Sequence, residues 1–219
     1  MAYPSPGSSQ GGGIVPPGSS EMAITSSPDY PVTAGLEAPL TVARWRVIGN
    51  YILAIPHLVV LYVLQIVAQL AVVAAWFAIL FTGRLPSGIG EFVAGVHRYQ
   101  YRVLTYTFFL REEYPAFGVP SGYSDPGGDP AWFNVVPPER FSRAAVFFRG
   151  LLAIPQVLYG IVVSVVLFVA WIVGFFAVLF TGRWPESWRR SILGAVFWSV
   201  RFNAWYSLLA DPYPPFVMR

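Results

Sequence analysis

Arg102 and Arg201 are the residues of this sequence best placed to do chemistry. Each sits within an otherwise apolar stretch, and an ionisable group there is a functional candidate, normally paired or turned to a cavity. Two guanidinium groups facing each other across a pseudo-symmetry axis would bind an anion or a phospholipid headgroup. The plainer reading has each Arg snorkel to an interface or cap nearby carbonyls. Other reactive types are sparse. His57 and His97 stand alone, and no His, Asp or Glu cluster has metal-ligand spacing. His57 reads as a hydrogen-bonded residue beside a proline. Glu91 lies near a helix start, where a carboxylate complements the dipole. Gly88-Ile89-Gly90 lacks a preceding strand and a following Gly-Lys-Ser/Thr, so it is not a phosphate loop. No Ser has a readable His and Asp constellation. The absence of Cys excludes disulfides, thiolate metal sites and thiol nucleophiles. The expectation is a protein with no catalytic site, metal or cofactor.

The elements carrying these residues are strongly apolar. Of the 219 residues, 55% are hydrophobic and 11% charged, against about 25% charged in an ordinary soluble domain. No formally charged residue occurs from Val47 to Gly83, or from Gly150 to Gly182. Uncharged apolar runs of about 18 residues or more read as bilayer spans. Every basic residue is Arg, and the net charge of +3 is too small and scattered for nucleic acid. Arg clusters beside apolar runs are read instead as topology determinants and lipid-headgroup contacts.

One hexapeptide occurs twice, as Phe81-Thr82-Gly83-Arg84-Leu85-Pro86 and Phe180-Thr181-Gly182-Arg183-Trp184-Pro185, each time where an apolar run stops. The two copies belong to an internal repeat. At a constant offset of 99, residues 39–117 align with 138–216 without a gap, and 24 of the 79 positions are identical. Ala54-Ile55-Pro56 falls on Ala153-Ile154-Pro155, Gly95 on Gly194, Arg102 on Arg201, and Tyr114-Pro115-Ala116-Phe117 on Tyr213-Pro214-Pro215-Phe216. The chain therefore reads as two copies of one supersecondary unit.

Each unit opens on Arg beside an aromatic residue, and a short helix leads to Pro56 or Pro155, where a kink is expected. The 25 residues from His57 to Phe81, or Gln156 to Phe180, extend about 37 Å as helix and cross a ~30 Å core with tilt. Ala71, Ala75 and Ala78 recur as Ala170, Gly174 and Ala177, a small-xxx-small seam suited to close helix packing. A second segment follows each turn. In the first copy Glu91, Arg98, Arg102 and Thr105 share a narrow stripe, as in a helix lying at an interface. The pattern favours an all-α integral membrane protein of two helical hairpins and four spans, with both turns on one side. The alternative is two spans plus two interfacial amphipathic helices, which would invert the second copy.

Residues 1–38 are rich in Gly, Pro and Ser and read as a disordered tail, without the basic start or apolar stretch of a signal peptide. Residues 118–137 read as an irregular linker, and 217–219 as a short C-terminal end. With four spans, seven Arg lie on the side of the termini and four opposite, which makes the termini cytoplasmic.

The Arg44-to-His57 entry with its Ala-Ile-Pro-His, the Phe-Thr-Gly-Arg-x-Pro turn and the closing Tyr-Pro-x-Phe together resemble a family of small, largely actinobacterial membrane proteins that carry a domain of unknown function, often in tandem. The resemblance covers about Pro39 to Phe216. It implies a multi-pass protein of a bacterial plasma membrane and transfers no activity. Gln156 stands where the first copy has His57, so a required histidine is not implied. The function expected is a non-catalytic accessory or scaffold subunit, in contact with the lipid bilayer and with other membrane proteins or itself. A small transporter or lipid-binding module using Arg102 and Arg201 is the alternative.

Overall fold

Two uninterrupted apolar helices dominate the computed structural model, which describes residues 21–25 and 30–218. The elements in chain order are β1 (Glu21–Thr25), β2 (Val32–Pro39), α1 (Arg46–Thr82), α2 (Ser87–Thr107), β3 (Ala131–Val135), α3 (Arg143–Phe147), α4 (Arg149–Thr181) and α5 (Glu186–Tyr206). Pro56 and Pro155 lie inside α1 and α4, which continue through them. The buried positions of α1 are Val47, Asn50, Ala54, His57, Leu61, Ala68, Ala75 and Ile79. Their spacing of three, four or seven makes one narrow stripe, and it packs on α2. Most of the rest of the helix surface is apolar, and much of it is exposed. Only 17% of the most apolar stretch of α1, and 22% of that of α4, is buried.

The chain is mostly helical but not all-α. β1, β2 and β3 form an antiparallel sheet in that order, with Val32 opposite Val135 and Leu36 opposite Ala131. β1 and β2 fall in the stretch expected to be a disordered tail, and β3 in the supposed irregular linker. The reason is non-local. β2 buries Val32, Ala34, Leu36 and Ala38 at the alternation a strand requires, but its partner β3 lies far along the chain, beyond the whole first helix pair. Gly35 permits the close approach, since a Cβ there would stand 2.4 Å from the Trp132 ring. Residues 1–20, 26–29 and 219 of the expected tail and C-terminal end lie outside the described residues.

The sheet packs on α2 and α5, and these pack in turn on α1 and α4. The two helix pairs are related by a pseudo-two-fold that runs them in opposite directions. The Phe141 N–H donates to Gly83 O (2.9 Å), and at the equivalent positions Val42 N–H donates to Gly182 O (2.9 Å). Each turn therefore docks on the entry segment of the other repeat. Tyr51, early in α1, meets Trp171, late in α4, while Trp76 Nε1, late in α1, donates to Val146 O just before α4 (3.0 Å). The helices α1 and α4 are thus antiparallel, and the turns lie at opposite ends of the layer rather than on the one side expected of parallel hairpins.

The small-residue seam packs against the turn of its own repeat, and Ala75 also packs in one cluster with Phe141, Val146 and Leu208 of the second repeat. Gly174 lies under the Trp184 indole, and a Cβ there would come within 2.0 Å of the ring. In the first repeat Ala75 is buried in one cluster with Leu85. A large turn residue is thus matched by Gly and a smaller one by Ala. Ala170 is fully buried; Ala71, Ala78 and Ala177 are half-buried. Gly174→Ala should push the indole aside and cost about 1–3 kcal/mol. Thermal unfolding in detergent measures this, and in a Trp184→Leu background, where the indole is gone, the same substitution should cost little.

Candidate functional site

Arg98 and Arg102 lie four residues apart on one face of α2, where helical side chains project together. Both reach Asp125 in the segment between the repeats. Arg102 Nη2 donates to both oxygens of its carboxylate, at 2.9 and 3.0 Å, and Arg98 Nε lies 3.4 Å from Oδ2. Arg98 also donates to the carbonyls of Phe133 (3.2 Å), Pro120 (2.9 Å) and Gly122 (3.1 Å). Arg102 Nε donates to Ala131 O at 3.2 Å, Arg111 pairs with Asp129, and Arg111 Nη2 reaches Arg102 O at 3.0 Å. The two carboxylates accept in addition from the backbone N–H groups of Phe133 (3.1 Å) and Ala131 (2.8 Å) on β3. Burial lowers the pKa values of Arg98 and Arg111, and Asp125 and Asp129 respectively oppose that shift.

The second repeat buries guanidinium groups with fewer carboxylates. Arg201 donates to Val217 O (2.7 Å) and Phe197 O (3.3 Å). Arg189 donates to Pro39 O (2.8 Å) and Leu110 O (2.9 Å), and burial lowers its pKa to about 10. Arg149 donates to Trp205 O (2.6 Å) and pairs with Asp211 at 3.2 Å. Arg102 and Arg201 are therefore not brought together. They share no partner, and the space between α2 and α5 is lined by His97, Gln100, Tyr101, Leu104, Ser199, Val200 and Asn203. Asp125 occupies the place an external anion would take on Arg102.

The remaining motifs hold each helix pair closed. His57 Nδ1 hydrogen-bonds the Tyr99 hydroxyl (2.6 Å) and its ring stacks on Phe117. At the equivalent positions Trp198 Nε1 donates to Gln156 Oε1 (3.0 Å). Tyr114 OH donates to Leu53 O (3.2 Å), and Tyr213 OH to Leu152 O (3.1 Å), so the closing Tyr-Pro-x-Phe folds back beside Ala-Ile-Pro. In the turns, Gly83 and Gly182 take the left-handed conformation that ends a helix. Thr82 and Thr181 accept from the N–H of Arg84 and Arg183 (3.1 and 3.2 Å). Pro86 and Pro185 are extended and start α2 and α5. Phe81 and Phe180 point outward, and Arg84 and Arg183 are exposed. Among the described residues no group of three His, Cys, Asp or Glu could hold a metal.

Sequence reasoning missed Arg98, Arg111, Arg149, Arg189, Asp125, Asp129 and Asp211 as members of buried networks. A signal for the first network was present: two Arg four apart on α2, and two Asp four apart in the following segment.

Helix pairs stitched by such networks, with one long apolar helix exposed in each, define a duplicated helical protein that carries two helices long and apolar enough to cross a membrane. Residues 44–118 and 143–218 both match the family described as Domain of unknown function (DUF4389), so the chain belongs to that family and carries its domain twice in tandem. No curated protein and no solved structure matches the chain.

Asp125→Asn should cost about 3–5 kcal/mol, the range for stranding a buried charge, read as a fall in unfolding temperature in detergent. His97 Nε2 lies 3.0 Å from Ser207 Oγ, and burial lowers its pKa to about 4. An unfolded His titrates near 6.5, so the unfolded chain binds more protons between those values. Stability should be full above about pH 6.5 and fall towards pH 4, and His97→Gln should flatten that slope in a pH series of melts.

Proposed function

We propose that the protein is embedded in a bacterial plasma membrane through the α1–α4 layer and serves there as a non-catalytic structural subunit of a membrane assembly. The observation that carries this reading is the outward apolar surface of two long helices, which water would penalise along nearly its whole length. A soluble core helix would bury that surface.

The sheet bears on how the layer sits. Tyr30, just before β2, donates to Pro212 O beyond the end of α5 (2.8 Å), and Arg189 in the first turn of α5 donates to Pro39 O at the end of β2. β2 therefore runs alongside α5, and β3 packs on α2. Upright helices would carry an open sheet edge into hydrocarbon, where unpaired backbone groups are not tolerated. With α1 and α4 lying along the membrane, their outer faces enter lipid while the sheet, the segment between the repeats and the described ends of the chain stay in the cytoplasm. Arg44 beside Gly182 and Arg143 beside Gly83 put guanidinium groups at both ends of the layer, at headgroup level. β1 ends the sheet, and such an edge is where a partner strand adds.

Single cysteines at Ser87, Ser124 and Ser187, all exposed, test this in the Cys-free chain. An impermeant thiol reagent should reach all three from the same side of sealed vesicles, in protein that resists carbonate extraction. Labelling of Ser87 and Ser187 from opposite sides would show two inverted spans. Labelling of both from the side opposite Ser124 would show four spans. Either result overturns the in-plane arrangement, and carbonate-extractable protein overturns the membrane reading.

A further inference from the structure

The two repeats differ where α1 passes α4. On one side of the pseudo-two-fold Tyr51 and Trp171 meet edge to face, ring centroids 6.4 Å apart, and Trp171 Nε1 hydrogen-bonds the Tyr51 hydroxyl. The equivalents of these residues at the offset of 99 are Gly150 and Val72, and there the space is open. A Cβ on Gly150 would meet nothing within 4 Å. Two adjoining cavities of about 340 and 470 Å³ share Gln69, Gly150 and Tyr206 and form one groove between α1, α4 and α5.

The open groove is also the more polar of the pair. Gln69 replaces the position of Phe168, Asn203 that of Leu104, Tyr206 that of Thr107, and Arg149 that of Asn50. Neither the Gln69 amide nor the Tyr206 hydroxyl hydrogen-bonds another described residue. Arg149 lines the groove, and its Nε is buried without a partner although the residue is only 3% exposed. Free donors beside apolar walls suit a molecule with a long hydrocarbon chain and a carbonyl near one end.

We propose that this groove holds one acyl chain of a bilayer phospholipid, with the ester carbonyl accepting hydrogen bonds from Gln69 and Tyr206. The inference rests on the membrane reading above, because a groove opening on the lipid-facing layer draws its occupant from the bilayer. The filled twin explains why the site is single: an aromatic pair occupies in one half what a lipid chain occupies in the other.

The full chain in phospholipid nanodiscs, doped with a phospholipid bearing a diazirine on its acyl chain, tests this. Photolysis should label peptides 69–77 and 149–158 saturably, with competition by unlabelled phospholipid. Val72→Trp with Gly150→Tyr, which copies the filled half, should lower that labelling about tenfold, equivalent to about 1.4 kcal/mol. Gln69→Phe, a change on an exposed position, should lower it in the same direction without touching the core. Labelling spread evenly over the outer faces of α1 and α4 and unmoved by these variants would overturn the inference while leaving the membrane reading intact. A chain that fails to enter the discs overturns both.

Discussion

Among the described residues six guanidinium groups are buried, and meeting their hydrogen-bonding demand is the constraint on which the rest of the structure depends. A buried cation without partners is untenable. Three are met by Asp125 and Asp129, one by Asp211, and Arg189 and Arg201 by carbonyls. The groups that answer them lie in segments with little apolar content of their own: the stretch between the repeats, the end of each repeat and the C-terminal residues. The guanidinium fork, with five donors in a plane, can hold two or three such strands of chain together, which a single ammonium cannot do. Order in these loops is thus derived from α2 and α5, and β3 is brought to β2 because Asp125 and Asp129 grip both Arg side chains and strand N–H groups.

Duplication supplied the frame, and divergence differentiated its halves. One backbone bond that docks a turn on the other repeat recurs in both directions, Phe141 N–H to Gly83 O and Val42 N–H to Gly182 O, as do the Tyr-Pro-x-Phe closures, while the second turn adds Trp184 N–H to Leu40 O. The non-glycine residues in left-handed conformation also coincide, Phe109 with Leu208. Such backbone costs about 1–3 kcal/mol, and both residues are fully buried, which offsets it. Trp184 shows the divergence. It stacks on Phe109, donates its ring N–H to Phe109 O at 2.9 Å, and requires Gly174 beneath it. The first repeat puts Leu85 and Ala75 at these places, so one contact between the repeats became an aromatic anchor while its twin stayed aliphatic.

The long helices, where they stop and their pairing within a repeat were legible because each signal is local: uncharged runs, a Gly at the end of α1 and of α4, a Pro at each restart. The sheet was not. β2 alternates correctly, but its apolar positions include two Ala and it follows a Gly- and Pro-rich stretch, so only the partner strand reveals it. Arg102 read as a membrane-buried site because the sequence shows an apolar neighbourhood without showing that Asp125 folds back on it. The relative direction of the repeats was equally hidden. A turn that docks on the other repeat leaves no periodicity, and Phe-Thr-Gly-Arg reads the same whether the second copy is parallel or inverted.

Length separates the ways in which α1 and α4 can meet a bilayer. Exposed apolar side chains run from Ile48 to Phe81 on α1 and from Leu151 to Phe180 on α4, roughly 45–50 Å of helix at about 1.5 Å per residue. A hydrocarbon core is about 30 Å thick. To keep such faces wholly in lipid, a spanning helix would tilt by about 50°, beyond the roughly 0–40° that spanning helices adopt. Upright, each would push about three to four turns of exposed apolar surface into the headgroups or water. A helix lying along the membrane meets no such limit, since its length then runs parallel to the lipid surface. The same orientation keeps the charged network of α2 and the edges of the sheet on the aqueous side. Within the proposed membrane setting, the apolar length of the helices and the position of the sheet thus point independently to the same arrangement.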